Sequence, residues 1–400
     1  MKLTPKEQQM LDGHFGPAVQ KSMEILTALG AIYGAEDMIP VVSVQVSGVS
    51  YANLGEAGLQ FLSSMEQGGG RAQVLTTLNP AGMDIENWQK LGIDPEFAKK
   101  QGSVLEVFKS MDIITTCSCT PYLFGNTPLF GQHIAWAESS AVCYANSVIG
   151  ARTNREGGPS ALAASITGRT PRYGFHLSEN RKPTFLVSVE TNLTHTHEFG
   201  ALGIAISNQF KSVGSKQVPY IQGIPKASVE QLKSLSASIA TYCGTALFHI
   251  EGLTPEANQY SAPSDEQVVI TNNEINTAIS TTNDAVSEDI DFVSLGCPHL
   301  SLNEIARIAQ LLSGKQVKKE FWITTSRPVK QIADRMGFTQ IIEASGAIIA
   351  ADTCCVVAPI RGRFSAIASD SAKACYYGAS KNNFKTLLKP FDEVVLEALK

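Results

Sequence analysis

"TFLVSVETNLTHTHEFGALGIAISNQFKSVGSKQVPYIQGIPKASVEQLKSLSASIATYCGTALFHIEG", residues 184–252, decides the fold class. "TFLVSVE" is a short apolar run of the buried-strand type, and "HEFGALGIAISNQF" reads as helix. "VPYIQGI" is again a strand. "SVEQLKSLSASIATYCG" is a helix opened by a capping box, Ser228 with Gln231, and "TALFHIEG" is a third strand. Strands alternating with helices predict βαβ units on a parallel sheet.

The same alternation resumes near residue 267, in "QVVITN", "NEINTAIS", "DFVSLGC", "LNEIARIAQLLSG", "EFWITT" and "PVKQIADRMG". The Pro- and Ser-rich "TPEANQYSAPSDEQ" separates the two series. Upstream of Pro183 the chain is irregular and motif-dense, with helix broken by glycines at the start, a strand in "VVSVQVSG" and a glycine-capped helix in "GLQFLSSMEQGG". The expected division is 1–183, 184–265 and 266–400.

With 400 residues, 44% hydrophobic and 17% charged, the composition is that of a soluble globular chain of two or three packed units. A net charge of −5 gives no basic balance for nucleic acid or an anionic membrane surface. "MKLTPKEQQMLDG" lacks the apolar core of a signal peptide, and no apolar run approaches a membrane span. The expectation is a cytoplasmic chain with reduced cysteines.

Three segments end an apolar run in cysteine: "MDIITTCSCTP" (Cys117, Cys119), "DFVSLGCPH" (Cys297) and "GAIIAADTCCVVAP" (Cys354, Cys355). The carboxyl ends of strands in open α/β sheets face the ligand crevice, so three distant segments can deliver thiols to one cleft. The competing reading is buried packing, since Cys is among the most buried residue types. Cys297 also lies just ahead of a helix opened by a capping box, Ser301 with Glu304, where partial positive charge favours a thiolate. Cys143 and Cys243 sit on apolar stretches and read as packing; Cys375 fits either role. "THTHE" offers His195 and His197 but no third ligand, and "QGGGRAQ" has neither the lysine of a P-loop nor a GxGxxG order.

The richest polar stretch is 135–177. It holds Glu138, Ser139, Ser140, Asn146, Asn154, Glu156 and Ser160, with Arg152, Arg155, Arg169 and Arg172 among glycines. Arginines in that setting point to an anionic ligand. Tyr51, Asn53, Thr77 and Asn79 follow apolar runs, and His249 sits inside one. Arg361, Ser371 and Lys373 follow the last cysteine pair as a second anion contact.

"CTPYLFGN", "AWAESSAVCYANSVIGARTNREGGPSALAA", "SLGCPHLSLNEI" and "ADTCCVVAP" together resemble the large subunit of aconitase X, in order and over essentially the whole chain. The resemblance implies an aconitase-like α/β fold: several three-layer α/β/α lobes with largely parallel sheets around a central cleft. It also implies a hydro-lyase working with a small swivelling subunit that carries a catalytic serine. Cys119, Cys297 and Cys354 would hold an iron–sulfur cluster, 4Fe–4S with one open iron, and Cys117 and Cys355 would not.

The family has two known activities. One dehydrates mevalonate 5-phosphate to trans-anhydromevalonate 5-phosphate in an isoprenoid route. The other dehydrates cis-3-hydroxy-L-proline. "SGVSYANLGEAG", "TTLNPAGMD" and "SCTPYLFGN" are similar to the first branch. On this reading Arg152 and Arg155 hold a carboxylate or phosphate, with Lys373 or Arg361 at the other end of the substrate. Asn53, Thr77, Asn79, Glu138, Ser139, Ser140, Asn146 and Asn154 line its site. Ser160, Ser371, Tyr51 and His249 are the catalytic candidates within the chain. Two other classes compete: an iron–sulfur sensor or RNA-binding protein, which the acidic balance disfavours, and a thiol enzyme using Cys297.

Overall fold

The computed structural model describes residues 1–209, 217–264 and 266–400. Phe210, the last residue of the expected "HEFGALGIAISNQF" helix, and Asp265, the expected lobe edge, lie outside the described residues.

Three parallel sheets organise the chain. In the first lobe β1 (Met38–Pro40) pairs antiparallel with β5 (Arg169–Pro171). Beside this ribbon, β2 (Ser43–Val46), β3 (Leu75–Leu78) and β4 (Ala135–Trp136) form a parallel sheet in the order β3-β2-β4. The second lobe holds β6 (Phe185–Val189), β7 (Pro219–Gln222), β8 (His249–Ile250) and β9 (Gln267–Ile270), all parallel, in the order β8-β7-β6-β9. The third holds β10 (Phe292–Leu300), β11 (Glu320–Thr325), β12 (Ile348–Ala351), β13 (Ala366–Ser369) and β14 (Lys385–Leu388), in the parallel order β12-β11-β10-β13-β14. All nine residues of β10 are buried, as expected of a central strand covered on both faces.

The second-lobe helices follow the capping reading. Ser228 accepts from the Gln231 backbone N–H, and the helix runs Val229–Tyr242. It crosses the helix Thr196–Gln209 closely at Gly203, where a Cβ would lie 2.5 Å from the Ser238 hydroxyl and 2.8 Å from the Ile239 nitrogen. Their shared core includes Cys143, Cys243 and Cys375.

The lobe edge falls later than the Pro- and Ser-rich stretch suggests. β9 pairs with β6, and the helix Asn272–Thr282 packs on Thr196–Gln209. Residues 266–282 therefore complete the second lobe, because an apolar strand is buried by the sheet it joins rather than by its neighbours in sequence. Within "SGVSYANLGEAG", Tyr51 is the first residue of the helix Tyr51–Gln67.

Candidate active site

The cysteine segments converge where the first and third lobes meet. Residues 115–118 lie against the end of β3, with Ser118 N–H donating to Leu78 O (2.9 Å) and Gln45 Nε2 donating to Ser118 O (2.8 Å). The next turn presents Cys119. Cys297 lies within β10, just past Gly296, whose φ is 116° and whose Cβ would lie 2.2 Å from Thr324 O. Only glycine fits there, and the β10–β11 register shifts between Leu295 and Leu300. Cys354 follows β12 by three residues. Its loop is tied to the first lobe by Ala81 N–H donating to Asp352 O (2.8 Å), and by Arg327, which pairs with Asp352 and, at 2.7 Å, with Asp84.

Cys119, Cys297 and Cys354 all line one cavity of about 280 Å³. Cys117 is instead packed in the first-lobe core and Cys355 in the apolar cluster between the first and third lobes. A larger groove, about 980 Å³, opens at the carboxyl ends of β6 and β7 but holds no cysteine and no expected site residue. The smaller cavity is therefore the candidate site.

Charged groups line the same cavity. Lys373, 8% exposed, donates to Glu138 Oε1, to the Ser140 hydroxyl (2.7 Å) and to the Ser139 hydroxyl (3.4 Å). Burial opposes its charge, but Glu138, followed by Cys297, outweighs that and holds Lys373 above its ordinary value. Glu138 is fixed as the cap of the helix Ser139–Tyr144, accepting from Ala141 N–H at 2.7 Å. Asn53 and Asn79 also line the cavity. The Asn79 Oδ1 is buried without a hydrogen-bond partner. Arg155 is exposed at the rim.

Several expected residues are elsewhere, committed to structure. Of the four arginines only Arg155 reaches the cavity. Arg152 donates to the Ser178 hydroxyl (2.9 Å), Arg169 pairs with Glu7 (3.0 Å) and Arg172 with Asp37 (2.6 Å). These contacts tie the 150–172 segment to its surroundings. Asn146 bonds the backbone of Thr153 and Ala246, and Asn154 that of Tyr173 and Phe175. Thr77 is buried in β3, accepting from Asn126 Nδ2 (2.9 Å). Arg361 is exposed and away from the cavity.

Nor do the four catalytic candidates line it. Ser160 donates to Glu156 (2.6 Å), and the Tyr51 hydroxyl to Glu56 (3.2 Å). Ser371 caps the helix Ala372–Asn382 and borders a small crevice behind Cys297. His249 is held by its Nε2 on Arg181 O (2.8 Å), and burial lowers its pKa.

Cys297 also differs from its reading as a thiolate at a helix start. It lies inside a strand, and burial, followed by Cys354, pushes its thiol well above the ordinary value, with Lys373 acting against them. A free thiolate nucleophile is thus disfavoured.

Further residues line the cavity beyond those expected from the sequence, Tyr377 and Lys381 among them. Tyr377 and Lys381 share with Lys373 the spacing i, i+4, i+8 on the helix Ala372–Asn382, so one helix face serves the site. That spacing was the available signal. The Lys381 ammonium donates to Val356 O (2.7 Å) and Asn53 Oδ1 (3.2 Å).

The donor set fits an iron–sulfur cluster. Three buried thiols from three segments share one wall, and the Cys119 sulfur already accepts a backbone N–H, from His299 at 3.2 Å. Among the described residues no three Cys, His or carboxylates are gathered as for a single metal ion. A polynuclear cluster takes its thiolates on separate irons.

Comparison with known proteins agrees. Residues 1–179 match the family model "Aconitase X first domain", 183–280 the second domain and 290–400 the third. The chain is 47% identical to the phosphomevalonate dehydratase large subunit of Methanothermobacter thermautotrophicus, covering 93% of this chain and 92% of that one. It is 30% identical to the cis-3-hydroxy-L-proline dehydratase of Hypocrea jecorina, over 94% of this chain but 65% of that one. The crystal structure of Thermococcus kodakaraensis aconitase X in its holo form superposes with a TM-score of 0.92 at 44% identity, covering all of both chains.

Proposed function

The chain belongs to the aconitase X family, and from that premise we propose that it is the large subunit of a dehydratase acting on mevalonate 5-phosphate. The observation that carries this is full-length similarity, 44–47% identical, to phosphomevalonate dehydratase large subunits from four archaea, against 30% to the hydroxyproline enzymes. The product is trans-anhydromevalonate 5-phosphate. Among the described residues no helix is long and apolar enough to cross a membrane. The reduced, buried cysteines suit a cytoplasmic enzyme.

Cys119, Cys297 and Cys354 would hold the cluster, a 4Fe–4S type. When bound, it supplies an open iron as a Lewis acid for the leaving hydroxyl of a β-hydroxy acid. The protein's own groups do the rest. Lys373, kept charged by Glu138, stands over the cavity to receive the substrate carboxylate. Arg155 at the rim receives the phosphate, whose oxygens suit a bidentate guanidinium. Asn79 Oδ1 can accept from a substrate hydroxyl. Removal of the proton alpha to the carboxylate is assigned, as the family resemblance implies, to a serine of the small subunit; Ser160, Ser371, Tyr51 and His249 do not line the cavity.

The test is anaerobic reconstitution with iron, sulfide and the small subunit, offering mevalonate 5-phosphate and cis-3-hydroxy-L-proline side by side. Turnover of the first alone is expected, and turnover of the second alone would overturn the substrate assignment. In the same assay Arg155→Ala should raise KM about 10–100-fold with a smaller change in kcat, the scale of one charge-assisted contact. An unchanged KM would remove Arg155 from the phosphate site.

A further inference from the structure

His299 is wholly buried, and the proposed function leaves it without a role. Its contacts reach all three cysteine segments. The ring Nε2 lies 2.9 Å from Thr353 O, beside Cys354, and Nδ1 lies 3.0 Å from the Ser118 hydroxyl, beside Cys119. Its backbone N–H donates to the Cys119 sulfur at 3.2 Å, and its own position is two residues after Cys297. A carbonyl can only accept, so Nε2 carries the proton and Nδ1 accepts from Ser118. The ring is wholly buried and meets only a carbonyl and a hydroxyl, the setting of a neutral imidazole. Behind it, Lys233 Nζ donates to His299 O at 3.0 Å and pairs with Glu304 at 2.6 Å, so the backbone here is held from a second side.

We propose that His299 is a positioning residue that sets the spacing of the three cysteine loops, with the imidazole bridging Ser118 and Thr353 while its N–H tunes the Cys119 sulfur. This rests on the reading that these cysteines hold an iron–sulfur cluster. The ring touches no substrate and acts through the ligand loops. Groups behind ligands orient them and commonly account for 10–100-fold in metal affinity. An N–H donated to a ligand sulfur also shifts the cluster's electronic properties.

The test uses the two-subunit enzyme reconstituted anaerobically with iron and sulfide. Three readouts are taken: iron per chain, the rate of iron release to a chelator, and the electron paramagnetic resonance spectrum of the reduced cluster. His299→Leu keeps the bulk and loses both ring bonds. It should release iron about 10–100-fold faster and show an altered spectrum. His299→Gln retains a donor for Thr353 O and Ser118→Ala removes only the second link, so both should fall between Leu and wild type. Release at the wild-type rate with an unchanged spectrum in His299→Leu would overturn the proposal. If His299→Leu does not fold, the same result in both His299→Gln and Ser118→Ala overturns it. Cys119→Ala is the separate control: if it binds as much iron as wild type, Cys119 is not a ligand and the ligand set this proposal rests on fails, whatever His299 does.

Discussion

Cys119→Ala will leave the reconstituted chain without its cluster and without activity, whereas Cys117→Ala will keep both. The two cysteines are one residue apart, and both are buried. They differ in direction. Cys119 faces the cavity with Cys297 and Cys354, while Cys117, at φ 45°, turns into the first-lobe core among Val46, Leu78 and Ile113. Losing a Lewis acid of several kcal/mol, about 4 or more, corresponds to a ~10³-fold or greater drop in rate. Cys117→Ala removes one well-packed sulfur and should cost about 1–2 kcal/mol of stability. Iron per chain and turnover check both variants. Iron kept by Cys119→Ala and lost by Cys117→Ala would reverse the ligand assignment.

Lys373→Met will lower both stability and turnover, and the two effects are separable. Removing the ammonium strands the Glu138 carboxylate, itself 5% exposed, in a site built for an ion pair. Breaking a buried pair from one side costs about 3–5 kcal/mol. Losing a charged donor aimed at the reacting end of the substrate costs about 10²–10³ in kcat/KM. In Lys373→Met with Glu138→Gln the stranded charge is gone, so most of the stability returns while turnover stays low. Urea midpoints measure the first effect and kcat/KM the second. If turnover recovered along with stability, Lys373 would be a structural residue only.

How legible the site was in the sequence depended on the kind of signal. Strand-and-helix alternation is a local, periodic property, so the parallel sheets of the second and third lobes could be read from residue 184 onward. The lobe edge could not, because β9 is recruited by pairing with β6 across 80 residues of chain. Cysteines ending apolar runs were also legible. The arginines were not: three of the four between 152 and 172 are used up in structural contacts, two of them with residues 162 and 135 positions away, which no count of charges reveals. Tyr377 and Lys381 were readable in principle from their helical spacing. His299 was not, since its partners Ser118 and Thr353 lie 181 and 54 residues away.

The amino-acid sequence by itself determined the α/β class, three cysteine-bearing segments that follow apolar runs, and the motifs of the family, because periodicity and motif order are carried along the chain. Tertiary structure alone decided which thiol of each close pair faces the cavity, which charges stay available to a ligand, and where the second lobe ends. Those outcomes depend on which side of a turn is buried and which distant group satisfies each polar atom, and both are settled only when the lobes pack together.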